Sequence, residues 1–134
     1  MMKSVTKSAL SLTAFAAVLA HMHGTAAWAV APPKVWVSNA GVDSGTCGAV
    51  TSACATFQQA HDNVAAGGEV GVLNAGDYGT LNITKSVNIT NEGAGEATIQ
   101  SFGSSLSAFV FISAGAGDVV SLRGLVLDGR GISM

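Results

Sequence analysis

Charge is scarce in this chain. Asp, Glu, Lys and Arg make up 10% of its 134 residues, and no basic run occurs. A nucleic-acid partner demands a basic footprint that neutralises phosphates, so nucleic acid is excluded. Long apolar runs are scarce too. The longest, Ala9 to Ala20, covers twelve residues, short of the roughly 20 that span a bilayer. Beyond residue 29 there is one histidine, His61, and two cysteines, Cys47 and Cys54. That inventory is thin for zinc, which takes four protein ligands or three and a water, and no metal site is expected. No adjacent aspartate pair offers the two carboxylates of glycoside hydrolysis. Aromatic residues amount to 6%; Trp36 and Tyr78, isolated in sequence, do not make a sugar-stacking platform.

What the first 29 residues do contain is the layout of a secretion signal. Lys3 and Lys7 form a short positive region ahead of the apolar stretch, and Ala27-Trp28-Ala29 puts small residues where a signal peptidase cuts. Cleavage after Ala29 is expected, with export to a periplasmic, cell-surface or secreted location. The remainder, residues 30–134, carries Lys34, Lys85, Arg123 and Arg130 against eight acidic residues, which is enough chain for one small domain. Sixteen of the seventeen glycines fall in this part, about twice the usual ~7%, as suits a fold with many tight corners. Regular Val/Ile/Leu units through 70–127 argue against disorder.

An oxidising compartment makes a local Cys47–Cys54 disulfide the first expectation. Pro32 and Pro33 keep the linker after Ala29 out of helix. Val35-Trp36-Val37 alternates as a first strand, and a Gly/Ser/Thr loop follows from Asn39 to Cys54. Thr56 to Ala65 is the one helix candidate, with Thr56 as N-cap, Phe57, Ala60 and Val64 on one face, and Gly67-Gly68 as stop. From Glu69 onward the texture becomes apolar–x–apolar: Val70/Val72, Leu81/Ile83, Val87/Ile89, Ile99, the Phe109–Ile112 run, Val120/Leu122 and Leu125/Leu127. The tandem units Leu81/Ile83–Val87/Ile89 and Val120/Leu122–Leu125/Leu127 resemble each other, which suggests equivalent levels of a repeat. A sandwich asks for longer strands and hairpin turns such as Asn-Gly. Short strands with small polar corners suit a coiled solenoid better.

In order, Val35-Trp36-Val37-Ser38, the two-cysteine loop, Ala55-Thr56-Phe57-Gln58-Gln59-Ala60, Ala65-Ala66-Gly67-Gly68-Glu69-Val70 and the segment Gly79 to Ile89 resemble the start of exported right-handed parallel β-helix proteins of the pectate-lyase-like superfamily. The resemblance covers about residues 35–130. It implies an all-β solenoid with one short N-terminal capping helix: linker, strand, disulfide loop and helix over 30–68, and the first coils over 69–134. Such proteins run on for several more coils, so it also implies the N-terminal part of a longer stack, truncated or a fragment.

Activity is not implied, because that superfamily holds lyases, hydrolases and adhesins alike. Its lyases hold calcium between clustered carboxylates and use an arginine or lysine base. Here Asp77, Glu92, Glu96, Asp118 and Asp128 are spread along the chain, and calcium takes six to eight oxygens. Asp118 and Asp128 read as turn formers, Arg123 as a solvated outer-face residue, and His61 as a helix-surface residue rather than a triad member. These three, Asp118, Arg123 and Asp128, are the weak candidates for ligand contact; no catalytic residue and no cofactor is expected. The sequons Asn82-Ile83-Thr84 and Asn88-Ile89-Thr90 are read as chance. The expectation is a non-catalytic envelope or secreted module with polysaccharide or another surface component as partner, which self-associates through an uncovered C-terminal coil. The alternative is the N-terminal piece of a polysaccharide lyase or hydrolase whose catalytic coils lie elsewhere.

Overall fold

Each apolar–x–apolar unit becomes a short strand, and every strand pairing is parallel. The computed structural model describes residues 29–100 and 109–129; the expected signal segment, Ala29 apart, lies outside them. Among the described residues the order is β1 (Lys34–Val37), α1 (Phe57–Asn63), β2 (Gly68–Val72), β3 (Gly76–Asp77), β4 (Leu81–Ile83), β5 (Val87–Thr90), β6 (Ala97–Gln100), β7 (Val110–Ile112), β8 (Val120–Arg123) and β9 (Leu125–Asp128). They make three sheets, ordered β1-β2-β5-β8, β3-β6-β9 and β4-β7. From β2 onward the chain visits the three sheets in fixed rotation.

Because side chains alternate across a strand, parallel pairing in register stacks like on like. Val35 pairs with Val70, Val70 with Ile89, and Ile89 with Leu122, giving one apolar column through the four-stranded sheet. Leu81 and Ile83 stack against Val110 and Ile112, and Ala97 and Ile99 against Leu125 and Leu127. The core is the meeting of these columns with Phe57, Ala60 and Val64 of the helix segment. Phe57 packs its ring 4.9 Å from that of Tyr78.

The helix forms where the sequence places it but is shorter than the expected Thr56–Ala65. Thr56 is its N-cap, with the side-chain oxygen accepting from the Gln59 N–H at 3.1 Å. The helix ends at Asn63, and the Lys85 ammonium closes that end by donating to the Val64 carbonyl at 2.6 Å. Asp43 holds the entry, accepting from the Ala55 and Thr56 N–H groups and the Thr56 hydroxyl.

The first edge of each sheet is covered by a different device. On β1, the Trp36 N–H donates to the Gly48 carbonyl, and the Trp36 carbonyl accepts from the Cys54 N–H. The Ser38 N–H reaches the Cys54 carbonyl. The covering loop is closed by the Cys47–Cys54 disulfide, S–S 2.00 Å, as expected. On β4, Gln58 acts as a surrogate strand: its Oε1 accepts from the Asn82 N–H at 2.8 Å and its Nε2 donates to the Asn82 carbonyl at 3.5 Å. One turn later His61 Nε2 accepts from the Thr84 N–H at 3.3 Å. Near β3, the Asn39 amide donates to the Ala75 carbonyl and the Phe57 N–H to the Tyr78 carbonyl. Uncovered edge groups would otherwise invite a foreign strand.

Two expectations are corrected. His61 is buried, 2% exposed, because its ring serves the β4 edge; it is not a surface residue. Its Nε2 accepts, so the ring proton sits on Nδ1, 3.2 Å from Asp62 Oδ1. The two tandem units are not equivalent levels. Val87/Ile89 stacks on Val120/Leu122, whereas Leu81/Ile83 stacks on Val110/Ile112. The cause is corner length: Gly124 alone links β8 to β9, at φ +67 with the Asn91 carbonyl too close for any Cβ. Tyr78 is buried, in keeping with the absence of a sugar-stacking platform.

Candidate functional site

The same register that sends Val35, Val70, Ile89 and Leu122 inward turns their neighbours outward. Lys34, Glu69, Asn88 and Ser121 occupy one row, and Trp36, Gly71, Thr90 and Arg123 the next. The outer face of the four-stranded sheet is therefore polar and carries one large ring. Gly71 is required there: a Cβ would lie 2.5 Å from a Trp36 ring carbon, so the indole lies across the β2 backbone.

Lys34 ties the two rows together. Its ammonium sits 2.8 Å from Glu69 Oε1 and 4.4 Å from the centre of the Trp36 ring, within cation–π range. The Thr90 hydroxyl donates to the same Glu69 oxygen at 3.1 Å. The bond to Lys34 holds the Glu69 carboxyl below the usual carboxylate range, with partial burial opposing and the Thr90 hydroxyl assisting. Glu69 is thus an ionised acceptor with its partners in place.

Two recesses of about 210 Å³ each adjoin on this face. One runs past Lys34, Trp36 and Gly71, the other past Asn88 and Arg123. Glu69, Thr90 and Glu92 line both, so the two form one groove across the strands. Arg123 stands at its far end, exposed, and among the described residues it makes no ion pair. The groove brings together an indole with the Lys34 ammonium over its ring, hydroxyl and amide groups, and charges of both signs.

The three candidate contact residues are not brought together. Arg123 alone lies in the groove. Asp118 forms the corner before β8, where Oδ1 accepts from the Ser86 N–H and hydroxyl and Oδ2 from the Gly115 N–H. Those bonds, Ser86 foremost, hold its carboxyl below the ordinary value. It fastens one corner to the next. Asp128 ends β9 in another sheet, paired in register with Gln100. His61 and Asp62 touch, but the Thr84 N–H occupies the second ring nitrogen, so no nucleophile can sit there. Asp43, Cys47 and Cys54 bring three ligand-type atoms within 4.8 Å. The two sulfurs are bonded to each other and the Asp43 oxygens are taken by Ala55 and Thr56.

The groove residues Lys34, Glu69, Thr90 and Glu92 carry no sequence motif. The signal that finds Lys34, Glu69 and Thr90 is the register itself: once Val35, Val70, Ile89 and Leu122 are aligned, their flanking residues fall into the two rows, whereas Glu92 lies beyond β5. Comparison with family models, curated proteins and solved structures finds no match to this chain. The groove's function is therefore argued from its geometry.

Proposed function

We propose that this chain is a non-catalytic, exported right-handed parallel β-helix module that binds polysaccharide on the outer face of its four-stranded sheet. The solenoid reading is supported by the rotation of the chain through three parallel sheets and by the in-register apolar columns. The disulfide fits an oxidising compartment, and no helix among the described residues is long and apolar enough to cross a membrane.

One observation carries the binding reading: the groove in which the Trp36 indole lies flat beside Glu69, Thr90, Glu92 and Arg123. Sugar rings present an apolar face and a rim of hydroxyls, which matches a flat ring set among short polar side chains. Arg123 adds a planar fork for a carboxylate. Affinity electrophoresis against polygalacturonate and a neutral glucan tests it. Retardation by either polymer that is lost in Trp36→Ala is the expected result, and Arg123→Ala removes only the preference for the acidic one. Equal mobility of wild type and Trp36→Ala in every polymer contradicts the proposal.

A second reading is favoured by the strands β7, β8 and β9, which end their sheets among the described residues. In that reading the module is the foundation of a longer stack, and lyase or hydrolase residues stand on strands added beyond β9.

A further inference from the structure

Negative charge outweighs positive where the groove holds its aromatic ring. The recess beside Trp36 is bordered by Lys34, Glu69, Thr90 and Glu92, so two carboxylates stand against one ammonium. Of the two recesses, Arg123 lines only the other. Lys34 and the Thr90 hydroxyl both bond to the same Glu69 oxygen, Oε1, at 2.8 and 3.1 Å. Among the described residues, Glu69 Oε2 takes no hydrogen bond and the Glu92 carboxylate makes no ion pair. Acceptor capacity for a cation is therefore left over beside the ring.

The chemistry of this place is already displayed by Lys34. Its ammonium lies 2.8 Å from Glu69 and 4.4 Å from the centre of the indole, so ring and carboxylate converge on one cation. That pair is not fastened. The two side chains are 41% and 36% exposed, and an ion pair of this kind contributes little and opens readily. A second ammonium can exchange with it at small cost and use the oxygens that Lys34 leaves unused. Net charge favours such a ligand as well: residues 30–134 carry four Lys and Arg against eight Asp and Glu, which draws cations and repels anions.

We propose that the Trp36 end of the groove binds a free amino group of a sugar polymer, in competition with the Lys34 ammonium. This rests on the reading of the groove as a polysaccharide site and names its substrate class, a polymer that contains amino sugars without acetyl groups. The ligand's ammonium takes the place of Lys34 at the indole and donates to Glu69 Oε2 and the Glu92 carboxylate. Acetylation removes the charge and two of the three N–H donors. The acetylated sugar therefore loses both the attraction to the ring and the charge-assisted bonds.

NMR titration of the full chain with a glucosamine tetramer, and with the same tetramer N-acetylated, tests this at a mildly acidic pH that keeps the amines charged. The amino tetramer is expected to shift the Trp36 indole and Thr90 amide signals and to bind at least about tenfold more tightly than the acetylated one. Glu69→Gln is expected to abolish that preference. Glu92→Gln, a change at an exposed side chain, is expected to weaken the amino tetramer about threefold, and Lys34→Met to strengthen it about threefold. Equal affinity for the two tetramers overturns the amino-group assignment and leaves the polysaccharide reading standing. Unchanged or weaker binding in Lys34→Met overturns the competition, because Lys34 is then no competitor. Shifts scattered over the surface without Trp36 overturn the site, since they report only attraction to the net charge. If neither tetramer binds while a polymer is still retarded through Trp36, this proposal alone falls; if no tetramer and no polymer binds, both fall.

Discussion

The two ends of the stack are built from the same columns yet differ in every edge. At the first end, Val35, Phe57, Ala60, Val64, Leu81 and Ile83 are at most 1% exposed, because a loop, a helix and three side chains cover them. At the other end the next members of the columns surface: Ile112 is 59% and Leu127 52% exposed, directly above Ile83 and Ile99 at 0%. Phe111, Val119 and Val126 add further exposed apolar area there. The difference shows that a parallel strand makes only half of its own core. What closes a stack is an element able to satisfy alternate main-chain groups while presenting an apolar face, and here α1 does both.

The sharpest way to probe that contrast is to truncate one column at two levels. Ile89→Ala, in the covered part, is expected to cost about 2–5 kcal/mol. Leu122→Ala, one level on and half-buried, is expected to cost about 1 kcal/mol, since part of its side chain is already in water. Urea unfolding of both variants measures the difference, and equal costs would break the comparison. Removal of the disulfide with Cys47→Ala/Cys54→Ala ranks next. It is expected to cost about 2–3 kcal/mol by the loop-entropy account, read as a lower unfolding midpoint for the domain as a whole.

Much of this contrast is visible in the sequence and some is not. The strands at Val87/Ile89, Val120/Leu122 and Leu125/Leu127 are legible because alternation with a period of two has one physical meaning in a half-buried sheet. Thr56 and the cysteine pair are legible for the same kind of reason: a cap and a short loop are local. Register is not local. It depends on whether a corner takes one residue, as at Gly124, or three, as at Thr84–Ser86, and a glycine with positive φ is what allows the shorter one. With register unknown, Glu69 and Glu92 cannot be placed beside Trp36 and Arg123. The burial of His61 is hidden likewise, since its partner is a main-chain N–H of Thr84 on another element.

Smaller effects sharpen the edge argument. Gln58→Ala leaves the Asn82 N–H and carbonyl of β4 without their side-chain partner and is expected to cost about 1 kcal/mol; chemical denaturation of the single variant measures it. The pH dependence has a defined sign. Glu69 and Asp118 both have folded-state values lowered by hydrogen-bonded partners. Their stabilisation is therefore present above the ordinary carboxylate range near ~4 and is lost as pH falls through the lowered folded values. Asp118→Asn is expected to be less stable than wild type at neutral pH, with the gap closing under acid. A gap that widens on acidification contradicts the assignment. Self-association, if it uses the open end, is expected to weaken in Leu127→Lys, with sedimentation velocity as the measure.

Amide exchange along the two outer edges of one sheet tests the central claim most directly. On β1, Trp36 and Ser38 donate into the disulfide loop. On β8, the alternation of a parallel ladder turns the N–H groups of Val120 and Leu122 away from β5. The account predicts slow exchange at Trp36 and Ser38 and exchange at least about a hundredfold faster at Val120 and Leu122 under the same native conditions. Equal protection at both edges would contradict it, because the two ends of the stack would then be closed alike.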